Sequence, residues 1–199
     1  MTFTELAQRV RSHLAQDHRY AHSIRVARCA DVLAQRHDLD AAKARTAGIL
    51  HDLARLYSPE RLLAETSARG MPIEPYERAH PTLLHARMGA ALAREMFAVR
   101  DSEILSAIEK HTTGAGEMSP LDCVVYVADT VEPGRTFAGR AELWELALCD
   151  LRSAMREVLR YTIEHYAGKG KAITPPTEAA ARAFGIALPA GKEVTASAT

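Results

Sequence analysis

The sequence predicts an all-α fold, a single-domain bundle of helices. Three observations carry that prediction. Nearly every segment of the 199 residues repeats its apolar positions at helical spacing. No run alternates polar and apolar residues as a half-buried strand would. N-cap residues, prolines at first helical positions and glycine stops punctuate the chain. The composition agrees, with 47% hydrophobic and 25% charged residues. That is the range of a globular domain, and the length is enough for one real core.

The elements follow in order. Phe3, Leu6, Val10 and Leu14 lie on one face of a first helix. Val26, Ala30 and Leu33 mark a second, fading near His37. Asp40 is an N-cap for a third helix running through Arg55. Ser58 and Pro59 start a short fourth helix that Gly70 closes. Three prolines between Met71 and Pro81 predict a loop. Helices are then expected over Thr82–Phe97 and Asp101–His111. The segment HTTGAGEMSP interrupts the pattern, and Ser119-Pro120 opens a helix carrying Leu121, Val125 and Asp129. The longest helix is expected from Ala141 to Tyr166, on a core stripe of Leu143, Ala147, Leu151, Ala154, Val158 and Thr162. A short helix over Thr177–Phe184 completes one domain of residues 1–187, with its core at about 16–166. The Ala-, Gly-, Thr- and Ser-rich residues 188–199 are expected to be a disordered tail.

Several functions are disfavoured at once. Lys plus Arg and Asp plus Glu both number 25, so there is no bulk attraction to nucleic acid or a membrane. No apolar run is long enough to span a bilayer. The N-terminal stretch is amphipathic rather than a secretory signal. Cys29, Cys123 and Cys149 are odd in number and unpaired by spacing, which fits packing residues in a cytoplasmic protein. The sequence leaves the oligomeric state open, a homodimer included.

The informative anomaly is polarity on apolar faces. His22 is in register with Val26, Ala30 and Leu33; His85 with Met88, Leu92 and Met96; His111 with Ile104 and Ile108. Asp129 follows Leu121 and Val125 at steps of four. One such histidine is ordinarily a hydrogen-bonded core residue. Four histidines and two aspartates on different helices are another matter, because burying each unpaired costs several kcal/mol. A metal ion satisfies many of them together. Adjacent His51 and Asp52 point about 100° apart on a helix, so they straddle a pair of ions better than they face one. Imidazole and carboxylate donors without thiolate suit iron, manganese, cobalt, nickel or zinc, and argue against a structural zinc cage. Two ions sharing Asp52 would keep room for water, with a bridging hydroxide as the natural nucleophile.

The order His22, His51-Asp52, Asp129 resembles the HD-domain phosphohydrolase superfamily, and His85 and His111 between them resemble its two-metal branch. Closer still, HTTGAGEMSPLDCVVYVADTVEPGR resembles the signature of the YqeK family, the HD-domain symmetrical diadenosine tetraphosphate hydrolases. The segments AHSIRVA, AGILHDLAR, HPTLLHARMGA and ITPPTEAAARAF fit the same pattern, from about residue 16 to 185. The resemblance implies a helical bundle of the HD type. It also implies hydrolysis of diadenosine tetraphosphate at its middle phosphoanhydride to two ADP, with a di-metal centre, typically iron. By the same carry-over His22, His51, Asp52 and Asp129 hold one ion, and Asp52, His85 and His111 the other. Three positions depart from the family pattern: Arg55 where lysine is usual, Cys123 where a basic residue is common, and Thr130 where an aromatic is common.

Around these ligands, Arg55 one turn beyond His51 is placed to bind a phosphate oxygen and assist catalysis with Asp52. Thr112 and Thr113, with Gly114, offer hydroxyl and N–H donors to phosphate, and Arg135, His80 and His22 are further expected substrate contacts. His13, His18, His37 and His165 lack such register and read as surface or packing residues. Other enzyme readings are an HD-type hydrolase of a nucleoside monophosphate or cyclic dinucleotide. A non-catalytic nucleotide sensor would be expected to lose ligands, and a di-iron oxygenase would not carry the HTTG and VADTVEPGR segments.

Overall fold

The computed structural model describes residues 1–170 and 173–188. Among them are eleven α-helices, one 3-10 turn and no strand. In chain order they are α1 Phe3–Leu14, α2 Asp17–Arg36, α3 Ala41–Leu50, α4 Pro59–Ala68, α5 Pro75–Ala79, α6 Leu84–Met96, α7 Ser102–Lys110, α8 Pro120–Val131, α9 Arg140–Cys149, α10 Leu151–Gly168 and α11 Pro175–Ala183. The expected tail lies, but for Leu188, outside the described residues. None of the described helices is long and apolar enough to cross a membrane.

Caps set many of the boundaries. Thr2, Asp40, Ser58, Asp101, Ser119 and Asp150 each accept a backbone N–H of the helix they precede. Pro59, Pro75, Pro120 and Pro175 occupy first turns, where a missing N–H costs nothing.

Four expectations need correction. The helix expected through Arg55 stops at Leu50; residues 51–56 continue as tight turns with i to i+3 bonds such as Arg55 N–H to Asp52 O at 3.0 Å. His51 to Ala54 are all buried there, and the tighter path turns both ionisable residues inward. The expected loop 71–81 contains α5, because Glu74 and Glu77 cap one another's backbone around Pro75. The helix expected from Thr82 begins with a 3-10 turn, Pro81–Leu83, before α6. The expected long helix is two, and α2 is the longest. Asp150 is extended at φ −145° and takes the Ser153 N–H at 2.9 Å, an N-cap that ends α9 and starts α10.

The helices α2, α3, α7 and α8 pack against one another at the centre, with α6 against α7 and α10 against α8 and α9. Val26, Leu33, Ile49, Leu50, Ile108, Val124 and Val125 fill the space between them. Two glycines allow the approach. A Cβ on Gly48 would stand 2.9 Å from the Ala27 Cα, so α2 and α3 touch through backbone. A Cβ on Gly89 would stand 3.0 Å from the His51 carbonyl oxygen, so α6 lies directly on the turn that follows α3.

Candidate metal centre

That packing brings six polar side chains to one point. His22 comes from α2, His51 and Asp52 from the turn after α3, His85 from the first turn of α6, His111 from the end of α7 and Asp129 from the last turn of α8. All four histidines and Asp52 are buried, and the Asp129 side chain keeps 21% exposure. His22, His51 and Asp129 bring donor atoms within 4.8 Å of one another, and so do His51, Asp52 and His111. His51 therefore stands between two groups rather than inside one.

Asp52 is the junction. Its Oδ2 lies 3.7 Å from His22 Nε2 and 3.5 Å from His51 Nε2. Its Oδ1 lies 3.4 Å from His85 Nε2 and 3.8 Å from His111 Nε2. Asp129 Oδ1 joins the first pair, 3.1 Å from His22 Nε2 and 3.9 Å from His51 Nε2.

The rings are held by their other nitrogens. His51, His85 and His111 each donate Nδ1–H to the carbonyl three residues earlier, Gly48 at 2.7 Å, Thr82 at 2.5 Å and Ile108 at 2.7 Å. His22 Nδ1 instead donates to the Glu132 carboxylate at 3.0 Å. Each bond fixes its ring, and in a neutral ring it leaves a lone pair at Nε2. Burial opposes the charge of His22, but its contacts with Asp129 and Glu132 raise its pKa. Yet His22 and His51 Nε2 are 3.3 Å apart, and those of His85 and His111 are 3.2 Å apart. The Thr112 hydroxyl, 3.2 and 3.0 Å from the second pair, can donate to only one of them. Burial and His111 push His85 down to about 4, and burial and His51 push His111 down to about 4. Near neutral pH no proton sits between them. Facing lone pairs with two carboxylates alongside fit divalent cations.

The carboxylates are ionised. Burial works against the charge of Asp52, but His51, His85 and His111 carry its pKa below the ordinary value. Burial likewise opposes Asp129, and its bond to His22 with the charges of His51 and Arg135 takes it well below that value. Burial opposes Glu132 too, yet Arg25, His22 and the Gly134 N–H hold it down to about 2.

A cavity of about 480 Å³ opens over this cluster. Asp52, His85, His111 and Asp129 form part of its wall, with Arg55, Thr112 and Arg135 beside them. Arg135 Nη2 lies 2.5 Å from Asp129 Oδ1, and its Nε donates to the Asp129 carbonyl at 3.0 Å. Three expected substrate contacts do not line it, the first being His22, whose Nε2 is turned to Asp52 and Asp129 instead. His80 is exposed at the end of α5 and does not line this cavity. Thr113 faces a neighbouring hollow, its hydroxyl bonded to Gly114 O and its carbonyl to Thr177.

Other participants escaped the sequence reading. Arg25 and Glu132 form a forked ion pair behind His22, and Arg19 lies 3.8 Å from Asp52 on the cavity wall with its Nε buried and unpartnered. Their signal was spacing: Arg19 and Arg25 flank His22 by three residues, and Glu132 follows Asp129 by three. Phe137, Tyr161, His165 and Tyr166 form the cavity's far wall, so His165 is not merely a surface residue. No cysteine lines the cavity, and burial pushes Cys29 up to about 11 and Cys123 up to about 12.

Comparison with known proteins agrees with this geometry. The HD domain family matches residues 19–134. The chain is 36% identical to the symmetrical bis(5'-nucleosyl)-tetraphosphatase of Bacillus subtilis, over 81% of this chain and 86% of that protein. It is 36% identical to the protein of the same name in Halalkalibacterium halodurans, over 85% and 90%. A solved structure from Clostridium acetobutylicum, described as a predicted HD superfamily hydrolase involved in NAD metabolism, is 32% identical. It superposes with a TM-score of 0.87 over 92% of this chain and 97% of that one.

Proposed function

Because this chain belongs to the HD domain family, among its symmetrical bis(5'-nucleosyl)-tetraphosphatases, we propose that it is a metal-dependent hydrolase of diadenosine tetraphosphate, cutting the middle phosphoanhydride to give two ADP. One observation carries the reading: the two oxygens of Asp52 face two separate histidine pairs at the floor of an open cavity. We assign His22, His51, Asp52 and Asp129 to one ion and Asp52, His85 and His111 to the other. Iron is the inferred metal, and manganese or cobalt suits the same donors.

When bound, such ions neutralise phosphate oxygens and lower the pKa of water. The remaining work belongs to the chain. Nδ1–H bonds to carbonyls and to Glu132 keep the Nε2 atoms aimed inward without reorganisation. Arg19, Arg55 and Arg135 stand around the cavity and oppose the repulsion a polyphosphate brings. Arg55 lacks the compact point charge of a lysine but offers two parallel donors to one phosphate. The leaving group is a nucleoside diphosphate, stable as an anion, so the chain needs no strong general acid.

The test is product analysis with diadenosine tetraphosphate and iron, manganese or cobalt. ADP as the sole nucleotide product is expected. ATP plus AMP, or no turnover with any of these metals, would overturn the assignment.

A further inference from the structure

Across the cavity from the ligands is a feature that neither metal binding nor the core explains. Phe137 stacks on Tyr161 with ring centroids 4.5 Å apart and planes 25° apart. Tyr161 in turn lies over His165 at 5.9 Å and 23°. The chain holds only four Phe, six Tyr and one Trp, yet Tyr126, Phe137, Tyr161 and Tyr166 all line this one cavity. Phe137 and Tyr161 are half-buried, His165 is exposed, and neither Phe137 nor Tyr161 joins the hydrophobic cluster of the described residues. Rings that served packing would be turned into that cluster.

We infer that the Phe137–Tyr161–His165 ladder is the platform on which one purine base of the substrate stacks. The order along the chain matches that of a nucleotide. Asp129 faces the proposed metals, Arg135 bonds to Asp129, and Phe137 follows two residues later. Ligand, guanidinium and aromatic ring thus line one cavity, as the reacting phosphate, neighbouring phosphate and base of one nucleotide require. Tyr161 and His165 are four apart on α10 and present their rings on one helical face. A base needs only its π-face to bind such a wall, and the exposed end of the ladder accepts it without unstacking the Phe137–Tyr161 pair.

The inference rests on the nucleotide function proposed above, so the experiment reads binding as well as turnover. ADP and inorganic pyrophosphate are titrated into the manganese-loaded full-length protein and into Tyr161→Leu, Tyr161→Phe and His165→Ala. Exposed His165 can be truncated without threat to folding. Ala at 165 is expected to weaken ADP roughly tenfold, as loss of one aromatic stack does, and Leu at 161, the ring behind it, severalfold. Pyrophosphate should be unaffected, and Phe at 161 should restore ADP binding. Equal weakening of both probes would make the ladder a structural prop, and unchanged ADP affinity would likewise overturn it. A protein that binds ADP through the ladder but leaves diadenosine tetraphosphate uncut would keep the platform and sink the hydrolase reading. Cleavage to ADP with ladder-independent ADP affinity would do the reverse.

Discussion

The two sides of Asp52 are built differently. On the Oδ2 side, His22 is backed by the Glu132 carboxylate, itself gripped by Arg25 and the Gly134 N–H, and Asp129 is tied to Arg135. On the Oδ1 side, His85 and His111 are backed only by the carbonyls of Thr82 and Ile108. A carboxylate behind an imidazole raises its basicity more than a neutral carbonyl does. Among the rings, access is divided the other way: His85 and His111 line the cavity and His22 and His51 do not, so that Asp129 is the Oδ2-side ligand that reaches it. The Oδ2 side is the more heavily braced, and the Oδ1 side presents its imidazoles to the substrate.

The largest expected effect comes from removing what the sides share. Asp52→Ala takes one oxygen from each pair and leaves the four rings facing one another without the carboxylate they share. Turnover should fall by more than about a thousandfold, beyond the range for losing one electrostatic donor. Bound metal should drop below two ions per chain by elemental analysis. Full activity in this variant would exclude the two-metal arrangement.

Glu132→Gln separates the sides. It removes the charge behind His22 and touches nothing near His85 or His111. Metal affinity on the Oδ2 side should fall about 10–100-fold, the usual cost of losing such support, with the Oδ1 side unchanged. Chelator titration followed by metal content reads this directly. Wild-type protein should release the Oδ1-side ion first, and the variant should lose that order. Equal weakening of both ions would break the comparison.

Gly89→Ala probes the seam where the sides meet. Alanine favours a helix by about 1 kcal/mol over glycine. Here its Cβ would stand 3.0 Å from the carbonyl of fully buried His51, which cannot retreat cheaply. Overpacking of this kind costs about 1–3 kcal/mol, so net destabilisation is expected in thermal melts. The shift would move α6, and His85 with it, away from Asp52. The Oδ1-side ion should weaken, and a variant more stable than wild type would show that the seam is loose.

Much of this was legible in the sequence, for a reason visible in the fold. The six ligand candidates were readable because they are polar residues in apolar register, and burial is what makes such residues anomalous. Arg19, Arg25 and Glu132 were not, because Arg and Glu in a chain that is 25% charged look like a solvated surface until the fold closes over them. The break at Asp150 was hidden because Leu143, Ala147, Leu151 and Ala154 keep one apolar register across it. The aromatic wall was hidden because Phe137 meets Tyr161 only after the chain turns back on itself. Periodicity reports the face a residue shares with its own helix. It is silent on what crosses from another element.

Thr112 gives the smallest effect and the finest test. Its hydroxyl touches His85 Nε2 and His111 Nε2, and among the described residues it shares that reach with Asp52. If those nitrogens take a cation, the hydroxyl is released toward the cavity it lines and is free to meet a phosphate oxygen. Thr112→Val keeps the shape and removes one hydrogen bond of about 1 kcal/mol. KM for diadenosine tetraphosphate should therefore rise about fivefold, with metal content intact. The opposite result, an unchanged KM with metal lost from the Oδ1 side, would make Thr112 part of the ligand scaffold. That side would then have polar side-chain support after all, and the contrast with the Glu132-backed side would narrow to one of charge alone.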